Sequence, residues 1–181
     1  MLDISSLGKK IWVVGGPGAG KTTISKVLSN GFGYAHLELD SFFWEENWKR
    51  SDDKVIQERV KAALYNDSWV ADGHYDPVSN IILESCDSVI FLDVDIITRF
   101  WRVLSRSISY CFMRKELWNG NKESWRRLFS QNSMPIYVFK SASREAQKNQ
   151  EIYGICMKEG KYAFRVSKKK EIQIMLEKLR E

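Results

Sequence analysis

A glycine loop between two apolar runs constrains the fold of this chain more than any other feature. Residues 15–22 read G-G-P-G-A-G-K-T and fit the pattern G-x-x-x-x-G-K-[ST] without a mismatch. The preceding run 11–14 predicts a buried strand, and residues 23–28 predict the start of a helix. Glycines let several N–H groups point at one anion, and the helix N-terminus adds positive potential. This context predicts a phosphate cradle and disfavours the alternative, a chance glycine turn.

The loop residues have separate expected roles in binding ATP and Mg²⁺. Lys21 can reach the β- and γ-phosphates, and the Thr22 hydroxyl can ligand Mg²⁺. The residues expected to hold the nucleotide are Gly15, Gly16, Gly18, Ala19, Gly20, Lys21, Thr22 and Thr23.

Composition is that of one soluble domain. The 181 residues are 44% hydrophobic and 28% charged, and no apolar stretch approaches the length of a membrane span. The N-terminus lacks the features of a signal peptide, and the three cysteines are too widely spaced to suggest disulfides or zinc. We therefore expect a cytoplasmic protein formed by a single domain, 1–181.

Short apolar runs alternate with helical segments along the chain. This alternation predicts an α/β fold, with helices on both sides of a parallel sheet. The predicted strands are 10–14, 34–39, 68–71, 88–92 and 162–166. The predicted helices are 20–30, 52–65, 78–85, 96–113, 123–132, 136–157 and 169–180.

The helix predicted at 96–113 carries two stripes of side chains, with Asp95 as its N-cap. Its apolar face is predicted to consist of Trp101, Leu104, Ile108 and Phe112, and Trp101 is expected in the core beside Trp12 and Trp69. Arg99, Arg102 and Arg106 form another face, which we expect to meet anions.

Three predicted strands end in or beside an aspartate, at the sheet edge where ligands of such folds bind. Asp72 is the candidate for holding Mg²⁺ through water, and Asp40 for contacting the phosphoryl acceptor. Asp93 could equally be a structural cap. Several residues after these aspartates could line the acceptor pocket, although surface exposure or burial against a helix would explain them as well. They are His74, Tyr75, Trp44 and Trp48.

The net charge of +5 invites a nucleic-acid interpretation, but its distribution argues against one. Eight basic and two acidic residues lie between Arg99 and Arg127. A basic cluster facing a triphosphate explains this segment more simply than a DNA-binding surface. A second cluster, residues 168–170, is most simply solvated surface.

Several motifs together resemble the adenylate-kinase-like P-loop kinases, especially small bacterial proteins labelled adenylate-kinase-related or DNA topology-modulation proteins. The resemblance covers nearly the whole chain. It is carried by the loop, E-L-D at 38–40 with Trp44 and Trp48, D-G-H-Y at 72–75, F-L-D at 91–93, R-V-L-S-R at 102–106 and R-K-E-L-W-N-G-N-K-E at 114–123.

The resemblance implies a P-loop three-layer sandwich, with a five-stranded parallel sheet in the order 2-3-1-4-5. It further implies transfer of the γ-phosphoryl group of ATP to a small molecule, and a small helical lid at about 113–124. Arg102, Arg106 and Arg114 match the basic positions of the family and join Lys21 and Asp40 as expected catalytic residues.

The chain departs from the family pattern in two places. Relatives often carry an arginine soon after the D-G-x-Y segment, but this chain has none between Arg59 and Arg99. Asp95 stands where many relatives have proline. The missing arginine weakens the case for a phosphorylated acceptor. A nucleotide-binding regulator of DNA topology or transcription, and an NTPase without an acceptor, are the alternatives to a kinase.

Overall fold

Five parallel strands form one sheet in the order β2-β3-β1-β4-β5, as predicted. The computed structural model describes residues 4–167 and residue 177. The strands are β1 (Lys10–Gly15), β2 (Ala35–Glu38), β3 (Trp69–Asp72), β4 (Ser88–Leu92) and β5 (Tyr162–Val166). The predicted helix 169–180 and the basic cluster 168–170 lie outside the described residues, apart from residue 177.

The described part of the chain contains seven α-helices, and 3₁₀ turns lie at Ile4–Leu7, Glu46–Trp48 and Trp118–Gly120. The helices are α1 (Lys21–Phe32), α2 (Leu39–Phe43), α3 (Asp53–Leu64), α4 (Asp76–Ser85), α5 (Ile96–Met113), α6 (Trp125–Leu128) and α7 (Met134–Glu159).

Alternating strand residues form two cores on opposite faces of the sheet, because successive side chains of a strand point in opposite directions. Trp12 and Val14 of β1 belong to one core with buried residues of α3, α4 and α7. Ile11 and Val13 belong to the other core with residues of α1. The sheet is therefore covered on both sides, which is the three-layer arrangement predicted from the chain.

The segment after α5 differs from its prediction. A helix was predicted over 123–132, but α6 has only four residues. Ser124 caps it by accepting a hydrogen bond from the Arg127 N–H, and the chain then turns through successive bonds to the carbonyls of Arg127 and Ser130. The short helix α2 was not predicted, because its five residues directly follow a strand and show no helical period.

The prediction of which residues form the buried face of α5 is also wrong. Trp101 and Phe112 are 61% and 74% exposed, so Trp101 is not a core residue, whereas Trp12 and Trp69 are fully buried. The buried face of α5 is instead formed by Arg99, Val103, Ser107 and Cys111, at successive intervals of four residues. Their mostly small side chains let α5 pack closely against α7.

Candidate active site

The glycine loop joins the carboxyl end of β1 to the first turn of α1. Gly20 is the residue before the helix, and its φ of 99° is a backbone conformation that favours glycine. Among the described residues, no heavy atom beyond the chain neighbours of Gly20 lies within 4 Å of the position that a Cβ on Gly20 would take. The loop is closed by a hydrogen bond from the Ala19 N–H to the Gly16 carbonyl, at 3.1 Å. The start of α1 thus meets open space, as an anion cradle requires.

Lys21 is the first residue of α1, and its ammonium group folds back over the loop. Its Nζ donates a hydrogen bond to the Gly16 carbonyl oxygen at 3.1 Å. Burial lowers the pKa of Lys21, while the negative charges of Asp40 and Asp72 act in the opposite direction. Lys21 therefore contacts the loop and lies within electrostatic range of the two carboxylates that the sequence predicted for the acceptor and for Mg²⁺.

The carboxyl edge of the sheet brings two acidic residues side by side. Glu38 ends β2 and Asp72 ends β3, and the parallel register pairs them directly. Asp72 is buried, and its Oδ2 has no hydrogen-bond partner among the described residues. The His36 Nε2 atom lies 3.4 Å from it. Burial raises the pKa of Glu38, and its neighbours Asp72 and Asp40 add to that effect.

Asp40 lies in the first turn of α2 and is held by Tyr75. The Tyr75 hydroxyl donates a hydrogen bond to Asp40 Oδ1. Burial raises the pKa of Asp40, and this hydrogen bond and the charges of Lys21 and Arg106 oppose the rise. The Tyr75 ring stacks on Phe43 with ring centres 3.8 Å apart. Asp40 is thus oriented by a side chain that is itself fixed by packing.

His74 and Trp12 complete this corner of the site. The Trp12 indole N–H donates to the Gly73 carbonyl at 2.8 Å, and its ring meets the edge of His74. Burial and the positive charges of Lys148 and Lys21 lower the pKa of His74 to about 4. His74 is therefore a neutral imidazole at physiological pH.

The three arginines predicted to form one anion-facing stripe on α5 have different environments. Arg102 is exposed and donates to the Gly18 carbonyl at 3.3 Å. Arg106 is exposed and interacts electrostatically with Lys21 and Asp40. Arg99 contradicts the prediction, because it is only 7% exposed and its Nη1 donates to Glu145 Oε2 at 2.7 Å. Arg114 lies at the exposed end of α5, about 12 Å along the helix axis from Arg106.

The predicted lid segment, residues 113–124, docks on the loop that follows α2. Asn121 accepts a hydrogen bond from the Trp48 N–H at 2.6 Å and donates to the carbonyls of Glu45 and Trp118, each at 2.8 Å. Asn119 donates to the Trp44 carbonyl at 2.5 Å. We refer to this contact between residues 44–50 and 116–122 as the loop clasp.

Each half of the loop clasp is a narrow turn closed by one bridge between its ends, Trp44 with Arg50 and Glu116 with Lys122. Burial raises the pKa of Glu38 and the nearby Trp118 side chain opposes that rise, so the clasp extends to the acidic edge of the sheet. On its outer side, the Arg127 guanidinium lies 3.9 Å from the centre of the Trp48 ring.

Sequence reasoning missed the two asparagines of the loop clasp and the pair of Arg99 with Glu145. Asn119 and Asn121 belong to the motif that carried the resemblance, but that motif gave them no role. Two asparagines within a W-N-G-N turn are the one local signal of a hydrogen-bonded loop.

Comparison with known proteins supports the fold. No protein-family model matches the chain. Shikimate kinase from Acinetobacter baumannii, solved in complex with shikimate, superposes with a TM-score of 0.58 at 15% identity, covering 97% of this chain and 92% of that one. This chain has an α/β P-loop fold.

A sequence relative is similar over a shorter region. An adenylate kinase of Borrelia garinii subsp. bavariensis is 31% identical over 80 residues, which covers 33% of this chain and 38% of that enzyme. The match thus spans about two fifths of that adenylate kinase. In the described part of the chain, no helix is long and apolar enough to cross a membrane.

Proposed function

We propose that this protein transfers the γ-phosphoryl group of Mg-ATP to a hydroxyl group of a small molecule. One observation carries the proposal: Asp40, fixed by Tyr75, lies within electrostatic range of Lys21 of the glycine loop. A carboxylate on the acceptor side thus faces the lysine expected to hold the β- and γ-phosphates. The likeness to an adenylate kinase and a shikimate kinase supports the same class of reaction.

In the proposed reaction, the acceptor oxygen bonds to the γ-phosphorus as the bond to the β,γ-bridging oxygen breaks, and ADP leaves. The hydroxyl proton passes to Asp40, whose raised pKa suits a proton acceptor. Lys21, Arg102 and Arg106 stabilise the negative charge on the transferring oxygens, and Arg114 joins them if the predicted lid closes further.

The residues present suit Mg²⁺. Asp72 has a buried carboxylate oxygen without a hydrogen-bond partner among the described residues, and Thr22 offers a hydroxyl in the first turn of α1. Oxygen ligands of this kind, completed by waters and phosphates, are those that Mg²⁺ prefers. Bound there, Mg²⁺ would neutralise part of the charge on the phosphates.

We further propose that the acceptor carries no phosphate. With Asp72 assigned to Mg²⁺, the acceptor side still presents two acidic residues, Glu38 and Asp40, which would repel an anion. Two arginines on this side are already paired, Arg50 with Asp53 and Arg59 with Glu45, and Arg106 is assigned above to the transferring phosphoryl group. A neutral or cationic alcohol, such as a nucleoside, fits this charge better than a nucleoside monophosphate.

The test is an ATP-consumption screen over pairs of compounds that differ only by a phosphate, such as nucleosides and their monophosphates. We expect turnover with the phosphate-free member of a pair, and we expect Lys21→Ala to abolish it. Lys61→Ala, an exposed change on α3, serves as the matched control. ATP turnover by Lys21→Ala at the native rate would exclude the proposed site. Preference for the monophosphates would exclude the proposed acceptor class alone.

The alternative role in DNA topology or transcription gains no support from the described residues. The basic residues of α5 that gave it weight are directed to other partners: Arg99 pairs with Glu145, and Arg102 contacts the glycine loop. Salt-dependent binding of the protein to duplex DNA would favour this alternative.

A further inference from the structure

A buried ion pair lies directly behind the glycine loop. The guanidinium of Arg99 and the carboxylate of Glu145 occupy the place that a Cβ on Gly16 would take, well inside van der Waals contact. The backbone carbonyl of Arg99 likewise lies 2.5 Å from the Cβ position of Gly18. The first turn of α5 therefore contacts the loop at Gly16 and Gly18, whereas the Cβ position of Gly20 is open.

Glu145 has two partners that hold it in this position. Arg99 Nη1 donates to its Oε2 at 2.7 Å, and the Ser141 hydroxyl, one turn earlier on α7, donates to its Oε1 at 2.6 Å. The pair is mostly buried, with 9% of the Arg99 side chain and 21% of the Glu145 side chain exposed. Loss of one partner would leave an uncompensated charge in a poorly hydrated place.

Loss of Arg99 would affect Lys21 most directly. The negative charge of Glu145 already acts on Lys21 and favours its protonated form. While Arg99 is present, most of that charge is compensated by the guanidinium. Without Arg99, the Glu145 carboxylate would attract the Lys21 ammonium group and compete with a phosphate for it.

We infer that Arg99 is a positioning residue for phosphate binding, and that it acts by neutralising Glu145 and supporting Gly16. This inference rests on the proposed binding of ATP at the glycine loop. It separates Arg99 from Arg102 and Arg106, which are exposed and can meet a ligand directly. The positioning depends on the pair of Arg99 and Glu145, which are 46 positions apart in the chain.

The inference predicts that the effects of substituting Arg99 and Glu145 on ATP affinity are not additive. Arg99→Met should weaken binding of a fluorescent non-hydrolysable ATP analogue in Mg²⁺ by at least about tenfold, because Glu145 is then unpaired. Glu145→Gln keeps a side chain of the same size that can still accept from Arg99, and should bind the analogue at least as tightly as the wild type. The double variant should recover most of the affinity lost in Arg99→Met.

Two further measurements separate positioning from simple packing. Binding of the matching adenosine analogue, which has no phosphates, should be unchanged in all three variants, and Arg99→Lys should restore part of the ATP affinity. The matched control is Arg144→Met. Arg144 lies on α7 beside Glu145 and pairs with Asp76 of α4 at the surface, so its loss should leave ATP affinity unchanged.

Equal impairment of Arg99→Met and the double variant would overturn the inference, and so would an equal loss of adenosine binding. If Arg99→Met does not fold, Glu145→Gln decides alone, since a tenfold loss of ATP affinity in that variant contradicts the mechanism. Failure of the wild type itself to bind the ATP analogue would instead refute the proposed function, and the inference with it.

Discussion

Asn121→Ala should open the loop clasp, and the structure allows the cost to be worked out. Asn121 is 3% exposed, and its side chain makes three hydrogen bonds, two of them across the clasp. A hydrogen bond of this kind contributes about 1 kcal/mol net, and more where the partner is left buried and unpaired. We therefore expect the clasp to lose about 2–3 kcal/mol of stability against opening, relative to the wild type.

Amide hydrogen exchange measures this loss where it occurs. The Leu117 N–H bonds the Asn121 carbonyl at 2.7 Å, and the Glu45 N–H bonds the Lys49 carbonyl at 2.8 Å, so neither depends directly on the altered side chain. At tenfold per 1.4 kcal/mol, both amides should exchange about 30 to 150 times faster in Asn121→Ala. The amide of Trp12 in the central strand should change much less.

Asn66→Ala is the matched control, because the Asn66 side chain is exposed and makes one hydrogen bond, to the carbonyl of Ala63. Asn121→Asp should be at least as disruptive as Asn121→Ala, because a buried carboxylate cannot donate to the two carbonyls and its negative charge is repelled by their oxygens. Exchange at Leu117 and Glu45 within about threefold of the wild type would refute our account of the clasp, since such a change corresponds to less than about 0.7 kcal/mol.

Two other predictions concern the acceptor side. Tyr75→Phe removes the hydroxyl that donates to Asp40, so the pKa of Asp40 should rise further and the acid limb of the kcat/KM profile should move to higher pH. Tyr153→Phe is the control. If the acid limb does not move in Tyr75→Phe, Tyr75 has no role in the site. For His74, the folded pKa of about 4 lies below the ordinary 6.5, so the unfolded state binds more protons in that range and stability should fall as pH drops from 6.5 towards 4. Urea titrations should show this slope reduced in His74→Gln, and an identical slope in both proteins would contradict the assignment.

The sequence was a good guide wherever local pattern and position coincide. The loop motif fixed where β1 ends and α1 begins, and the apolar runs located all five strands. Asp72 at the end of β3 and Asp40, two residues after the end of β2, both lie within electrostatic range of Lys21, because parallel strands present their carboxyl ends at one edge.

The sequence was a poor guide where a partner far along the chain decides the outcome. Helical period placed Arg99 on a face with Arg102, but Glu145 on another helix draws Arg99 into the interior. The same period grouped Trp101 with Phe112 without indicating which face packs against α7. Asn121 meets Trp48 across 73 positions, a contact that no local pattern encodes.

The contact between Arg99 and Gly16 makes tolerance to mutation at one site depend on the residue at another. The general loop pattern leaves the second position, Gly16, free to vary, yet in this chain any side chain there would collide with the Arg99 guanidinium. A side chain at position 16 would require the Arg99–Glu145 pair to move, so in a comprehensive substitution library Gly16 should tolerate fewer replacements than the general pattern allows. The same library built on a background with both Arg99→Ala and Glu145→Ala should accept alanine and serine at position 16, so the apparent constraint on the loop is imposed by α5 and α7.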